Sequence, residues 1–347
     1  MSVFESADFD DHETVAFFDD KASGLKAIIA IHSRALGPAC GGIRMYPYAD
    51  GDAALTDALR LSRAMSYKNA MADLPLGGGK TVVIGDPARD KTEARLTALA
   101  HSINALGGRY IGAMDVGIAP QDMPVIAAST KYLAGYDQPG KTGGDSGPLT
   151  ALGVFLGLKA AVRYRLGVDT TEDLTVAIQG LGKVGMDLAR RLRAEGARLV
   201  VADVNSDATR FAAEELNARV VSPDEIVTAD CDVLSPNALG AILNDATIPS
   251  LHARVVAGGA NNQLAEARHG DALKARDILY APDYVINGGG IIRVAGQICN
   301  WSDADIEARV RAIAATLADI FARAEREGLA TSVVADQIAA ERIARGG

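Results

Sequence analysis

The chain has little cysteine, no excess of positive charge, no long apolar run and no internal repeat, and each lack excludes a class of protein. Cys40, Cys231 and Cys299 are the only three cysteines in 347 residues, and they stand far apart. Without a CxxC pair, neither a structural zinc site nor a dithiol redox motif is indicated, and no metal is expected. A sparse, odd count fits a reducing compartment. The net charge is −9, whereas a surface for nucleic acid needs a basic patch or stripe. Nucleic acid is therefore not an expected partner, although a few local lysines suffice for a small anion. The opening stretch MSVFESADFDDHE is acidic, unlike a basic targeting leader, and no apolar run reaches the length of a membrane span. A cytosolic protein with no membrane partner is expected.

What is present is ordinary for a soluble globular protein: 48% hydrophobic and 23% charged residues, in a length that suggests about two domains. In the first third, Leu25–Ile31, Thr81–Ile84 and Tyr110–Ala113 read as strands. Ala53–Ala72 and Ala94–Leu106 read as helices, the former from Leu55, Leu59, Leu61 and Met65 at helical spacing. Gly135–Pro148 is rich in glycine and proline and poor in apolar residues, which marks a loop or hinge. The boundary is set there, giving domains of residues 1–135 and 136–330. The second part alternates strand and helix, the pattern of a parallel sheet covered by helices. Its strands are Leu174–Gln179, Leu199–Ala202, Cys231–Leu234, Arg254–Ala257 and Ile278–Tyr280. Its helices are Thr150–Tyr164 and Val184–Glu195, the latter with Gly196 as its C-cap. A long helix over Asp303–Gly328 and a shorter one close the chain.

Gly180-Leu181-Gly182-Lys183-Val184-Gly185 is a GxGxxG run. Alone it is weak evidence, since glycine-rich turns occur without ligands. Here it follows a strand and opens a helix, the context in which it binds a dinucleotide. Gly180 permits the tight turn, Gly182 lets backbone approach a pyrophosphate, and Gly185 lets helix and strand pack closely. The helix N-terminus adds free N–H groups and partial positive charge. Asp203 ends the next strand, in the window about 20 residues downstream where a carboxylate accepts from ribose hydroxyls. It would repel a 2′-phosphate, and no Arg or Lys stands in Val204-Asn205-Ser206, so NAD is favoured over NADP. Other strand ends carry Asn261, Asn262 and Asn287. Ligands bind outside the carboxyl ends of strands in such sheets, although asparagine and glycine also simply make good turns.

Leu76-Gly77-Gly78-Gly79-Lys80-Thr81 superficially suggests a phosphate loop, but Leu74 stands where that motif needs a glycine. What remains is a lysine held on a glycine loop. Lys68, near the end of an apolar helix face, reads from position alone as a snorkelling side chain.

These stretches, with Leu36-Gly37-Pro38-Ala39-Cys40-Gly41-Gly42-Ile43-Arg44-Met45, Tyr67-Lys68-Asn69-Ala70, Met114-Asp115-Val116-Gly117, Asp122-Met123, Ala260-Asn261-Asn262-Gln263 and Tyr280-Ala281-Pro282-Asp283-Tyr284-Val285-Ile286-Asn287, resemble the Glu/Leu/Phe/Val dehydrogenase family over almost the whole chain. The leucine branch is the most similar in look. The resemblance implies an α/β protein with an N-terminal substrate and oligomerisation domain, a Rossmann-type doubly wound NAD-binding domain and a cleft between them. It also implies a C-terminal helix, about residues 331–347, that returns to the first domain. The implied reaction is NAD-dependent, reversible oxidative deamination of an L-amino acid to its 2-oxo acid and ammonia, by a homo-oligomer.

The resemblance further implies that Lys68 holds the substrate carboxylate, with Gly41 and Gly42 beside it. Lys80 and Asp115 would be catalytic, and Thr150 and Asn262 would lie near nicotinamide and substrate. Such a lysine acts as a base only if its pKa falls from about 10.4. Burial and a second cation both lower it, and Lys68 is the candidate cation. Cys40 stands where glutamate enzymes of the family carry a lysine for the side-chain carboxylate, so glutamate is disfavoured. Ala113, Ile291 and Val294 match other pocket positions, all apolar. Leucine, valine and isoleucine lead, with phenylalanine the alternative. A methylene is worth only about 1–3 kcal/mol of discrimination, so composition does not rank them. Met114 replaces an acidic residue expected in the leucine branch.

Two rivals stand against this reading. A 2-hydroxy-acid dehydrogenase would use a histidine base, but His12, His32, His101, His252 and His269 all fall outside these blocks. An NAD-binding sensor or scaffold without turnover would be expected to lack one of Lys68, Lys80 and Asp115.

Overall fold

Residues 3–138, 143 and 145–346 are described by a computed structural model. Part of the Gly135–Pro148 loop, residues 139–142 and 144, lies outside the described residues. The first sheet comprises β1 (Thr14–Asp20), β2 (Leu25–Ser33), β3 (Ala39–Tyr46), β4 (Gly77–Ile84) and β5 (Tyr110–Met114), in the order β1-β2-β4-β3-β5. β2 pairs antiparallel with β1 and β4, whereas β3 pairs parallel with β4 and β5. Helix α1 (Gly51–Met71) starts at Asp50, whose side chain accepts from Ala53 N at 2.8 Å. It lays Ala54, Leu55, Ala58 and Leu59 against Ile28, Ala30 and Val82 on one face of the sheet. Helices α2 (Glu93–Ala105) and α3 (Met123–Ala127) belong to the core on the other face, where Leu96, Leu99 and Ile103 join Ile29, Ile31 and Val83. Covered on both faces, β2 reads as a nearly unbroken apolar run.

The glycine loop expected before Lys80 is instead the first half of β4. A Cβ on Gly78 would lie 2.0 Å from Ser66 N of α1, one on Gly79 2.7 Å from the Tyr110 ring, and one on Gly77 2.0 Å from Ser33 O. The glycines let neighbouring backbone and ring press onto the strand, and the pairing with β2 and β3 overrides their poor strand propensity. β1 and β3 were not legible as strands either. Gly41-Gly42 and Arg44 give β3 the composition of a loop.

Helix α4 (Gly147–Leu166) opens the second sheet's region and begins three residues before the predicted Thr150. Pro148 sits in its first turn, where the missing N–H has no helical partner to lose. Then come β6 (Thr175–Gln179), α5 (Lys183–Ala194), β7 (Arg198–Ala202), α6 (Ser206–Leu216), β8 (Arg219–Val220), β9 (Val233–Pro236), β10 (Val255–Val256), α7 (His269–Ala275) and β11 (Leu279–Tyr280). These six strands are all parallel, in the order β8-β7-β6-β9-β10-β11. That is the doubly wound dinucleotide-binding order, with its switch point between β6 and β9. Helices α8 (Asp283–Ile286), α9 (Gly289–Cys299), α10 (Asp303–Glu327) and α11 (Thr331–Gly346) complete the chain.

Two compact units result: Met1–Gly144 with Arg293–Trp301 and Ala339–Gly347, and Asp145–Ile292 with Ser302–Ile338. The division falls nine residues after the one drawn from composition, still inside the same stretch. Most of α9 and the end of α11 count with the first unit. Arg342 donates to Ala70 O at 2.9 Å and Met71 O at 3.1 Å, adding charged partners to the carbonyls at the C-terminus of α1. Among the described residues, no helix is long and apolar enough to cross a membrane.

Candidate active site

In the first unit, Lys80 lies mid-strand in β4 and is 5% exposed. Its Nζ donates to Oδ2 of Asp115, which follows β5 directly. Gly42 of β3 completes this spot. A Cβ there would sit 2.6 Å from Asp115 Cβ and 2.9 Å from Lys80 Nζ, so only glycine leaves the pair its place. A Cβ on Gly41 would meet Gly79 O at 1.7 Å, with Met65 Cγ of α1 also close at 3.2 Å. The Tyr110 hydroxyl donates to Gly41 O at 2.9 Å and steadies the segment.

The Asp115 turn is built to be rigid. Ile118 N donates to Asp115 O at 3.0 Å, and Met45 N to Val116 O at 2.9 Å. Lys91 donates to Gly117 O at 3.1 Å and to Asp122 at 2.6 Å, and Ala119 N also donates to Asp122 at 2.6 Å. Asp122 thus has a structural task, which explains its place in the same sequence block.

The electrostatics loosen the Lys80 proton. Burial pushes its ammonium towards deprotonation; Asp115 works against this, and the Arg44 guanidinium adds to it. Burial alone would raise the Asp115 carboxyl, but Lys80 and Arg44 hold it below the usual carboxylate range. Arg44 is a cation acting on Lys80 that the sequence reading, which pointed to Lys68, did not single out. Arg44 Nε donates to Asp115 Oδ2 at 3.0 Å and Nη1 to Asp57 Oδ2 at 3.1 Å. The Tyr48 hydroxyl also donates to Asp57. Arg44, Asp57 and Tyr48 were not singled out from sequence. The available signal was strand alternation, which puts Gly42 and Arg44 on one face of β3.

Lys68 is half-buried on α1. Helical spacing sets it on one stripe with Asp57, Leu61 and Met65, the stripe whose Asp57 meets Arg44 and whose Met65 approaches Gly41. Cys40 is fully buried in β3, and burial pushes its thiol up to about 12. Ala113 and Val294 flank Gly135. A Cβ built there would lie 3.6 Å from Ala113 Cβ and 3.2 Å from Val294 Cγ2. Gln297 fixes this wall by accepting from Gly135 N at 2.6 Å and donating to Tyr136 O at 2.7 Å.

In the second unit, the three glycines of the run differ as their proposed tasks require. Gly180 has φ +90°, and Ala238 N would crowd its Cβ at 2.9 Å. Gly185 would drive a Cβ to 1.9 Å from Gly180 O, whereas a Cβ on Gly182 meets nothing within 4 Å. Gly182 caps α5 without a side-chain hydrogen bond, so no cap side chain competes for the first N–H groups of the helix. A dinucleotide pyrophosphate fits these residues. Leu181 N donates to Asp203 Oδ2 at 2.5 Å and Asn205 N to Oδ1 at 2.7 Å. An ionised carboxylate has about four acceptor sites, so ribose hydroxyls can still be received. Val184 is on the first turn of α5, and its Cγ1 would lie 3.1 Å from a Cβ on Gly259. Lys183 pairs with Asp145 at 2.8 Å.

Asn287, 4% exposed, donates to Asn261 Oδ1 at 2.8 Å and to Gly259 O at 3.2 Å. Asn262 is exposed with φ +52°, a conformation asparagine tolerates. Buried Gln263 secures that loop by donating to Gly258 O at 2.7 Å and Ala260 O at 3.0 Å. The Thr150 hydroxyl donates to Ser146 O at 2.9 Å and would lie 3.2 Å from a Cβ on Gly290. Ile291, next along α9, is 8% exposed.

Residues 12–132 match the family described as Glu/Leu/Phe/Val dehydrogenase, dimerisation domain. Residues 201–346 match Glutamate/Leucine/Phenylalanine/Valine dehydrogenase. A leucine dehydrogenase of Bacillus cereus is 48% identical over 344 residues, 99% of this chain and 94% of that protein. A valine dehydrogenase of Streptomyces coelicolor is 47% identical over 336 residues, 96% and 92% of the two chains. The crystal structure of an L-tryptophan dehydrogenase from Nostoc punctiforme superposes with a TM-score of 0.86 at 42% identity, covering 96% of each chain. A buried lysine–aspartate pair, a doubly wound sheet with its glycine run at the switch point, and full-length kinship agree: the chain belongs to the Glu/Leu/Phe/Val dehydrogenase family.

Proposed function

We propose that this protein catalyses the reversible, NAD-dependent oxidative deamination of an apolar L-amino acid, leucine, valine or isoleucine first, to its 2-oxo acid and ammonia. The observation that carries the reading is Lys80, buried on Asp115 with its proton loosened. Oxidising an amine needs a neutral amino group, a base and a water to attack the iminium. Lys80 is the base that activates this water, and Asp115 exchanges protons with the substrate nitrogen. Lys68 is the anchor for the substrate carboxylate, next to Gly41 and Gly42. Bound NAD supplies the hydride acceptor. Gly182 and the N-terminus of α5 would hold its pyrophosphate, with Gly180 and Gly185 permitting the turn and the helix packing that form this cradle; Asp203 would hold its ribose, and Thr150, Asn261, Asn262 and Asn287 are assigned to its nicotinamide end. Holding substrate in the reacting geometry supplies much of the rate.

The substrate class follows from charge. Cys40 is a buried neutral thiol, so its position offers no cation for a side-chain carboxylate. Ala113 and Val294 in the first unit and Ile291 in the second are each assigned as apolar substrate contacts. An aromatic amino acid is the second reading, favoured by the small residues Gly135 and Ala113 facing each other. The dimerisation-domain match supports a homo-oligomer. Formation of NADH from NAD and a panel of L-amino acids at alkaline pH tests this reading. Turnover of leucine, valine or isoleucine and little with glutamate is expected; no turnover with any apolar amino acid would refute it.

A further inference from the structure

Two cations share one oxygen in the first unit, and this arrangement has a chemical consequence for Lys80. Lys80 Nζ and Arg44 Nε both donate to Oδ2 of Asp115, the latter at 3.0 Å. The guanidinium is held from behind as well. Its Nη1 donates to Asp57 Oδ2 at 3.1 Å, and the Tyr48 hydroxyl donates to the same oxygen. Arg44 is thus a planar fork spanning two carboxylates, one after β5 and one on α1, and its side chain is 25% exposed. A guanidinium stays charged at every working pH.

We propose that Arg44 is a positioning residue that competes with Lys80 for Asp115 and so keeps the lysine available as a base, with Asp57 and Tyr48 holding it in that role. The proposal rests on the reading of Lys80 as that base.

Charge arithmetic gives the sign. With Lys80 protonated, the Lys80, Arg44, Asp115 and Asp57 charges sum to zero; with Lys80 neutral they sum to −1. Without Arg44 the two sums become −1 and −2, so the lysine must give up its proton beside two uncompensated carboxylates. Neutral groups line the neighbouring strands among the described residues. β2 puts Ala30 opposite it, β3 carries Cys40 as a neutral thiol, and β5 begins with Tyr110, whose hydroxyl donates to Gly41 O. On α1, Lys68 shares the stripe of Asp57 but is assigned to the substrate carboxylate. Arg44 is therefore the permanent cation bonded to the carboxylate that pairs with the base.

The test is the pH profile of kcat for oxidation of L-leucine with saturating NAD, using Arg44→Met, Arg44→Lys, Asp57→Asn and Lys80→Ala. Nearby charges typically move a titration by about one to three pH units when buried. The acid limb of Arg44→Met is expected to move up by about one pH unit, with kcat recovering in alkali. Arg44→Lys is expected to restore most of the wild-type profile. Asp57→Asn removes a negative charge and frees the guanidinium for Asp115, so its limb is expected to move down. A purely structural Arg44 would lower kcat at every pH without moving the limb, and that result would overturn the proposal. If Arg44→Met does not fold, an unmoved limb in Asp57→Asn overturns it equally. Full activity in Lys80→Ala would instead remove the reading on which the proposal rests; an inactive Lys80→Ala with an unmoved Arg44→Met limb would sink the role of Arg44 alone.

Discussion

Gly42→Ala is the smallest change that tests the geometry of the lysine–aspartate pair. Its new methyl carbon would lie 2.6 Å from Asp115 Cβ and 2.9 Å from Lys80 Nζ. Carbon atoms settle at about 3.5–4.0 Å, so Asp115 or β3 must move by about 1 Å. Neither yields easily: the Asp115 turn is held by β3 and by the Lys91–Asp122 pair, and Gly42 pairs with Ala113 in β5. A misplacement of about 1 Å at a reacting group costs on the order of 100-fold in rate, equivalent to about 2.7 kcal/mol of barrier. Overpacking costs about 1–3 kcal/mol of stability, less than a domain's usual margin of about 5–15 kcal/mol. The variant should therefore stay folded, melt several degrees lower, bind NAD as before and lose about two orders of magnitude in kcat. Steady-state NADH formation, with a thermal melt and a NAD titration on the same sample, reads all three. A kcat within about threefold of wild type would show that the contact does not constrain the pair, and the geometric argument would fail.

The glycines of the dinucleotide run should separate stability from binding. Gly185→Ala puts a carbon 1.9 Å from Gly180 O and is expected to destabilise the second unit severely, whereas Gly182→Ala meets open space and should melt like wild type while weakening NAD binding; melting curves and NAD titrations of both variants check this. Asp203→Ser removes the charge that repels a 2′-phosphate, so the ratio of kcat/KM for NADP to that for NAD should rise by at least tenfold, about 1.4 kcal/mol; an unchanged ratio would remove Asp203 from the ribose site. His12 bonds to Leu59 O at 3.1 Å and Ser62 at 3.0 Å, and His32 to Ser66 at 2.8 Å and Asp10 at 3.3 Å. Burial depresses both imidazoles below their unfolded value, near 6.5, so the unfolded chain takes up protons first. Their contribution is complete above that pH and is lost as pH falls towards the folded values, so the melting temperature should drop between about pH 7 and 5; a drop no shallower in His32→Asn would contradict this.

The parallel sheet was legible because each of its longer strands is a short apolar run followed by a turn and an amphipathic helix, and α5 starts at the glycine run itself. The first sheet was less so. In β3 and β4 the sequence spends its residues on letting backbones approach, and five glycines at Gly41, Gly42 and Gly77–Gly79 look like loop until the clashes they avoid are seen. Lys80 therefore read as a loop lysine although it sits mid-strand. The site divides in the same way. The glycine run and Asp203 follow from local pattern, but Thr150 was reached only through the resemblance, as was the joining of Lys80 and Asp115, which stand 35 positions apart. Arg44 and Asp57 carried no local signal, because what gives them a role is a meeting of β3, α1 and the end of β5 that no spacing expresses. The five histidines fall outside the blocks that carry the resemblance; His12, His32 and His269 are buried while His101 and His252 are exposed.

The central claim is that Lys80 is the base for the chemistry and not a support for the fold or the cofactor. Lys80→Ala, compared with wild type for NAD affinity, melting temperature and kcat with L-leucine at saturating NAD, tests it most directly. Expected are unchanged NAD affinity, a fold that is retained with a lower melting temperature because Asp115 keeps only Arg44 of its two buried cationic partners, and a kcat reduced by about two to four orders of magnitude. A folded Lys80→Ala that turns over leucine at close to the wild-type rate would contradict it.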